Sequence, residues 1–377
     1  MPTTSTFAPT SASVDLAALA HNLATIRQCL HPGCDIMAVV KANAYGHGAI
    51  EITRTLLRHG IARFAVVSVD EGVALRQAGI TAPIVILGPL FPEQIADLLA
   101  HQLTPVVSDL GIMPILSDAV RTFKNAYPIH VKVDTGMGRL GLRMRDVESL
   151  IQTLPLHGPL QLEGLMTHLS DSDGTDDAAT EEQLSVFRRI VRQIEELGLR
   201  MPLIHATNSA GLIRFPQSHF SLVRPGIMLY GYHTLPDSVT APALRPVLSL
   251  RTTVAQLRTV EPGGTISYNR TFVAKRQSRI AVLPVGYADG YNRRLSNRGM
   301  VLVNGQRVPV VGLVCMDMMM IDVTAVPHTR VGDEVVLIGR QGQEAIWADE
   351  IADWTDTIPY EILCAIGPRV PRIYQAA

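Results

Sequence analysis

From Asp35 to Val223 the chain repeats one pattern, a short run rich in Val and Ile followed by a longer amphipathic segment. The runs fall at 35–40 (DIMAVV), 63–67 (RFAVV), 84–87 (IVIL), 104–107 (TPVV), 129–133 (IHVKV), 160–166 (LQLEGLM), 204–206 (IHA) and 221–223 (SLV). Strands joined through helices feed a parallel sheet. The helical spacing is clearest at 180–197, where Leu184, Phe187, Ile190, Val191, Ile194 and Leu197 recur and Gly198 can end the helix. Eight such units favour a closed (β/α)8 barrel, with a doubly wound open sheet as the alternative that counting leaves open.

After about Leu235 the pattern changes to short strand-like pieces at 248–257, 278–285, 299–303, 306–313 and 334–339, separated by turn signals such as Asn304-Gly305 and Gly332-Asp333. The division expected is a flexible leader over 1–12, a barrel over 13–238 and a mainly-β domain over 239–377, although 13–15 could add a strand to the β domain. A 377-residue chain that is 47% hydrophobic and 18% charged can bury a core of this size. Its 33 basic and 34 acidic residues leave no excess positive charge for a nucleic-acid backbone. Cys29, Cys34, Cys315 and Cys364 form neither a disulfide framework nor a CxxC pair. The first residues lack the basic and apolar regions of a secretory signal, and no apolar stretch reaches the roughly 20 residues that span a bilayer. A cytoplasmic enzyme with no membrane partner is the expectation.

In a barrel the reactive groups gather where strands end. The first run ends in VVKANAYGHG, which puts Lys41 at the rim. A free lysine amine, with a pKa near 10.4, is a poor nucleophile unless burial or cationic neighbours favour its neutral form. Ser209 and the backbone amides of Gly226 and Ile227, after the last two runs, fall where barrel enzymes bind phosphate. A Schiff-base lysine across a barrel mouth from a phosphate cradle points to pyridoxal 5'-phosphate.

VVKANAYGHG, KVDTGMGRLG, LEGLMTHLS, HATNSA, VRPGIMLYG, ISYNRTF, GYADG, VCMDMMMIDVT and YEILCAIGPRVPR occur in this order. Together they resemble the alanine racemases, of the fold-type III pyridoxal-phosphate family. The resemblance implies interconversion of L- and D-alanine, supplying D-alanine for peptidoglycan or using it catabolically, in a homodimer with shared active sites. It assigns one acid/base group to Lys41 and the other, from the partner chain, to Tyr268, whose alternative reading is a buried structural tyrosine. Arg139 and His168 are the expected cationic neighbours of that phenol. Arg224 is expected against the pyridine nitrogen, where a fixed positive charge opposes ring protonation.

The same resemblance gives the phosphate to Tyr45, Ser209, Gly226, Ile227 and Tyr360, with Asn208 and His205 around them. It gives the substrate carboxylate to Arg139 and the backbone at Met316, and the entrance to Tyr287. Lys132 matches the family's carbamylated lysine. Asp317 reads as structural, and His47 and His130 have no assigned role. The chain departs from the family's common pattern at Asn269, where Gly is frequent, and at Pro368. Alanine is expected over serine, because Tyr360 stands where serine-accepting relatives tend to have a smaller residue. A broad-specificity or serine racemase is the nearest rival. A non-catalytic pyridoxal-phosphate carrier would lack residues 240–377.

Overall fold

The computed structural model describes residues 8–153, 158–199 and 201–376. Its first strand, β1 (Ser11–Asp15), is followed by eight parallel strands: β2 (Asp35–Val39), β3 (Arg63–Val66), β4 (Ile84–Ile86), β5 (Thr104–Val107), β6 (Tyr127–Lys132), β7 (Leu160–Met166), β8 (Leu203–His205) and β9 (Leu222–Val223). They pair in the order β8-β7-β6-β5-β4-β3-β2-β9. The gap between β8 and β9 is bridged by Ser221 N–H donating to Ile204 C=O at 3.2 Å and by Ile204 N–H donating to the Ser221 hydroxyl at 2.7 Å. The sheet is thus a nearly closed barrel, and the open-sheet alternative falls. Six of the eight strands carry apolar residues buried on consecutive positions, as a sheet covered on both faces requires. In the helix Ala178–Glu196, Leu184, Phe187, Ile190, Val191 and Ile194 are buried as the spacing predicts. Leu197 is instead 56% exposed, because the chain leaves the helix there and Gly198 turns at φ +78°.

The second half is built from strands, but its boundaries differ from the sequence reading. The run 248–257 is two strands, Leu248–Thr253 and Gln256–Val260, in different sheets. The break falls at buried Val254, whose N–H donates to Asp333 while the next N–H, of Ala255, donates to Val282. One sheet orders Gln306–Pro309, Met300–Val303, Glu334–Gln341, Leu248–Thr253, β1 and Arg372–Gln375. A second orders Gln256–Val260, Ser278–Leu283 and Met319–Asp322. Asn304 (φ 49°) and Gly305 (φ 75°) form the tight hairpin turn between Met300–Val303 and Gln306–Pro309. Of the expected leader, residues 1–7 lie outside the described residues, and Ser11 and Ala12 are already strand. β1 pairs antiparallel with Leu248–Thr253 and parallel with Arg372–Gln375, so residues 13–15 belong to the second half's sheet. Among the described residues no helix is long and apolar enough to cross a membrane.

The two halves are locked by buried Asn22, on the helix Leu16–Gln28 that follows β1. Its side-chain amide donates to Leu229 C=O at 3.1 Å and Arg245 C=O at 2.8 Å, and its oxygen accepts from Arg245 N–H at 2.7 Å. Asn22→Ala strands the buried Leu229 carbonyl and leaves the part-buried N–H and C=O of Arg245 without their partner. It should lower unfolding stability by about 2 to 4 kcal/mol, seen as a lower urea midpoint at unchanged slope. An unchanged midpoint would show that water replaces the amide at no cost.

Candidate active site

The site starts at the C-terminal end of β2. Val40 N–H still donates to Ala65 C=O on β3, and Lys41 follows directly. The next residues, Ala42, Asn43, Ala44 and Tyr45, all sit at φ between 51° and 54° and form one left-handed turn. L-residues resist this conformation by roughly 1–2 kcal/mol each, so the turn must be held from outside. Asn43 accepts from Ala49 N–H at 2.9 Å, and Glu71 accepts from Ala42 N–H at 2.6 Å. Arg372 donates from Nε to Gly46 C=O at 2.9 Å. Gly46 lies at φ +83°, with no room for a Cβ, which would come 2.2 Å from Leu363 O. Buried His47 caps the turn from inside, its Nδ1–H shared between Ala44 and Tyr45 carbonyls at 2.9 Å each.

The turn drives the Tyr45 ring inward, against Tyr230 at 4.8 Å and Tyr360 at 5.8 Å between centroids. Its hydroxyl lies over Gly226, so close that a Cβ there would come 2.3 Å from it. The Ser209 hydroxyl accepts from Gly226 N–H at 3.0 Å and Met228 N–H at 3.4 Å. A hydroxyl, a phenol and adjacent N–H groups therefore converge on a glycine with no side chain, an arrangement suited to an oxyanion such as phosphate. Asn208 caps the helix Ser209–Arg214 through Gly211 N–H at 2.9 Å and takes the Ser172 hydroxyl at 2.8 Å, which commits its oxygen to structure.

Arg224, after β9, is 4% exposed. One terminal nitrogen, Nη2, donates to Thr167 C=O at 2.8 Å and Ala206 C=O at 2.9 Å and approaches His168 Nδ1 at 3.3 Å. The other, Nη1, donates to His205 Nδ1 at 2.9 Å. Because a guanidinium only donates, His205 must carry its proton on Nε2, which meets His130 Nδ1 at 2.9 Å. His130 Nε2–H then meets Glu163 Oε2 at 3.1 Å. The chain of hydrogen bonds runs from the partly exposed Glu163 on β7 through two buried imidazoles to the guanidinium and fixes its plane. The His130 bond holds the Glu163 carboxyl below its usual range. Burial pushes the Arg224 guanidinium down to about 9, which leaves it charged at neutral pH. Burial, and then Arg224, hold His168 and His205 well below the ordinary imidazole value, so both are neutral.

These groups line a cavity of about 320 Å³. Lys41, Lys132, Arg139 and Arg224 all border it, and among the described residues no Asp or Glu does. Burial and the neighbouring Arg139 lower the Lys41 amine, and burial, Arg139 and Arg224 bring Lys132 down to about 8. Both amines are therefore more available as neutral nucleophiles than free lysine. The volume and the four cations suit a small dianionic ligand with an amine-reactive carbonyl, and the residues present fit pyridoxal phosphate.

The model for the alanine racemase N-terminal domain matches residues 14–234, and that for the C-terminal domain matches residues 247–374. The chain belongs to the alanine racemase family. It is a pyridoxal-phosphate-dependent isomerase that interconverts L-alanine and D-alanine. Alanine racemase of Halothermothrix orenii is 44% identical over 97% of both chains, and that of Carboxydothermus hydrogenoformans is 42% identical over 97% of this chain and 99% of its own. A solved alanine racemase of Bacillus anthracis with bound L-Ala-P superposes with a TM-score of 0.91 at 36% identity, covering 99% of this chain and 96% of that one. The Bartonella henselae enzyme, with covalently bound pyridoxal phosphate, gives 0.88 at 29% identity, covering 98% and 100%.

The remaining expected residues of this racemase lie elsewhere in the chain. Tyr268 and Met316 border a separate open cleft with Ser267, Cys315, Asp317, Met318 and Met320, and the two linings share no residue. Tyr268 is 68% exposed, which rules out the buried structural tyrosine. Tyr287 is exposed too, on the turn whose N–H donates to Cys315 C=O. Arg139 and His168 border the Lys41 cavity, and His168 is neutral, so it supplies no positive charge to a phenol. Asn269 sits at φ 59°, a conformation that Gly and Asn both accept, which explains the departure from Gly. Asp317 pairs with Arg369 at 2.8 Å, the structural role expected of it. The sequence reading missed Glu71 and Glu163 and gave His130 no role. The S-x-x-E spacing of Ser68 and Glu71 was the one available signal for Glu71, and it marks a helix start rather than a site.

His47, pushed down to about 4 by burial, joins His168 and His205 as a third imidazole kept neutral in the fold. The unfolded chain protonates all of them near pH 6.5, so it binds more protons and stability falls as pH drops below that value. Each ring should contribute a slope of about 1.4 kcal/mol per pH unit once titration of the unfolded state is complete. Chemical denaturation between about pH 7 and about pH 5 should show this loss. A flat profile would contradict the neutral assignment.

Proposed function

We propose that racemisation here uses two acid/base groups from different chains, Lys41 of one subunit and Tyr268 of the partner subunit. The observation that supports this reading is a cavity with four basic side chains and, among the described residues, no carboxylate and no tyrosine apart from Tyr45 and Tyr360 of the phosphate cradle, while the exposed phenol of Tyr268 lies in a separate cleft of the same chain. A homodimer that seats the methionine-rich cleft of one chain over the barrel mouth of the other unites them. The surface carrying Tyr268, Met316 and Met318, all more than half exposed, has the apolar character of such a contact.

In this reading Lys41 would hold pyridoxal phosphate through its amine, and Tyr45, Ser209, Gly226, Ile227 and Tyr360 would take the phosphate. Asn208 shapes the cradle through the cap it makes. Bound pyridoxal phosphate supplies an electron sink that acidifies the substrate Cα–H. Arg224, fixed by its carbonyl and histidine partners, keeps a positive charge at the ring and opposes its protonation. Arg139 and the Met316 backbone of the partner subunit orient the substrate carboxylate, with Tyr287 of the partner subunit at the entrance. The amine of Lys41 would remove or return the proton on one face of the substrate Cα, and the phenol of Tyr268 of the partner subunit would serve the other. Lys132, at about 8 and between Arg139 and Arg224, is suited to add carbon dioxide. Its neutral amine gains a carboxylate and releases one proton, which turns a repelled cation into an anion beside Arg139. The D-alanine formed would supply the cell wall from the cytoplasm.

Borohydride reduction and peptide mapping should place the pyridoxyl group on the Lys41 peptide, and a label elsewhere rejects that assignment. In Tyr268→Phe the cofactor should still attach while racemisation falls by about 10² to 10⁴. If Lys41 serves the D-face, the variant should exchange the α-hydrogen of D-alanine in deuterated water without inverting it. Proton NMR of each enantiomer separately reads this, and equal exchange of both would remove Tyr268 from the mechanism.

A further inference from the structure

We propose that Glu71 is a positioning residue for Lys41, holding the backbone N–H directly after the lysine and setting a negative charge against its amine. The inference rests on the assignment of Lys41 as the cofactor-binding amine.

Glu71 is the third residue of the helix Val69–Gln77, in a capping box with Ser68. That motif needs one acceptor, and Oε2 supplies it, taking Val67 N–H at 2.7 Å and Ser68 N–H at 3.4 Å. Oε1 does something the cap does not require. It crosses from the end of β3 to the end of β2 and accepts Ala42 N–H at 2.6 Å. The last backbone bond between those strands is Val40 N–H to Ala65 C=O, so the carboxylate continues the ladder by one more link past Lys41. Ala42 is where the left-handed turn begins, and without that acceptor its first N–H has no anchor on the neighbouring strand. The lysine's backbone is thus pinned on its N-terminal side by the barrel and on its C-terminal side by Glu71.

The charge matters as well as the bond. Lys41 is faced by Arg139 after β6, by Lys132 and His168 at the ends of β6 and β7, by Cys364 at the end of the helix Pro359–Cys364, and by Glu71. Burial and Arg139 favour the neutral amine, and Glu71 then Cys364 oppose them. Burial pushes the Cys364 thiol up, which keeps it protonated and uncharged. A capping box accepts Gln as readily as Glu, so the cap alone gives no reason for a carboxylate here.

Three variants separate the roles. Glu71→Gln keeps one acceptor and loses the charge, Glu71→Asp keeps the charge and withdraws it by one methylene, and Ser68→Ala removes the other half of the cap. For each full-length apoprotein, pyridoxal phosphate is added across about pH 6 to about 10 and its covalent attachment is followed by visible absorbance. Borohydride mapping of the wild-type protein is read first, so a label away from Lys41 fails the underlying assignment and not this one. Amide hydrogen exchange of the peptide containing Ala42 gives a second readout.

In Glu71→Gln the midpoint of the attachment profile should move down by about one pH unit, and the Ala42 amide should exchange at least about tenfold faster. Glu71→Asp should hold the midpoint within a few tenths and still lose protection at Ala42. Ser68→Ala should lower the thermal midpoint and leave the attachment profile in place. A Glu71→Gln profile coincident with wild type, with Ala42 equally protected, would reduce Glu71 to a helix cap. If that variant does not fold, unchanged protection at Ala42 in Glu71→Asp overturns the proposal.

Discussion

Four positive side chains, Lys41, Lys132, Arg139 and Arg224, border one small cavity that, among the described residues, no acidic residue lines. Two such charges about 5 Å apart repel by about 3 kcal/mol at an effective dielectric of about 20. The surrounding structure answers this repulsion in several ways. Burial keeps His168 and His205 neutral, Lys132 gives up its proton readily, and Arg224 is tied to Glu163 through two imidazoles. What remains is a demand for anions, which a phosphorylated cofactor and an amino-acid carboxylate satisfy together. The same field lowers the Lys41 amine, so the feature that attracts the ligands also makes the nucleophile available.

The barrel gives this charge its rigidity. Lys41, Lys132 and Arg224 stand at or just beyond the C-terminal end of a parallel strand, where a packed interior fixes the backbone and leaves the side chain free to reach the mouth, and Arg139 reaches it from the loop after β6. The left-handed turn after Lys41 is the exception that shows the principle. Its unfavourable dihedrals persist because Asn43, Gly46 and His47 tie the segment locally while Glu71 and the arginine of the last strand hold it from other elements. The C-terminal sheet thus contributes to the barrel's site within one chain, through Arg372, before any second chain is considered.

Much of this was legible in the sequence, for physical reasons that differ by residue. The barrel strands are apolar runs bounded by turns, and Lys41, Arg224 and the Ser209–Gly226 cradle follow such runs directly. Hairpin chemistry at Asn304-Gly305 placed that turn. The strand break at Val254 was hidden because both of its halves alternate Leu, Thr or Val with polar residues, and only a change of partner separates them. Met319–Asp322 lies in a methionine-rich stretch with weak strand character, and Arg372–Gln375 is a short edge. His130 reads as a strand residue, because its partners Glu163 and His205 come from other strands and sequence spacing does not reveal a hydrogen bond across a barrel. The leader ended early for a similar reason, since β1 becomes a strand only when residues over two hundred positions away arrive beside it.

The proposed completion of the cavity by a second chain is where the account is most exposed. Lys41→Ala and Tyr268→Ala chains, each inactive alone, can be mixed under conditions where subunit exchange is verified by mass. If the site is shared, an equal mixture should recover about a quarter of the wild-type activity, because half of the dimers are mixed and each of those holds one intact site of two. No recovery despite proven exchange would mean that Lys41 and Tyr268 act within one chain or do not act together at all.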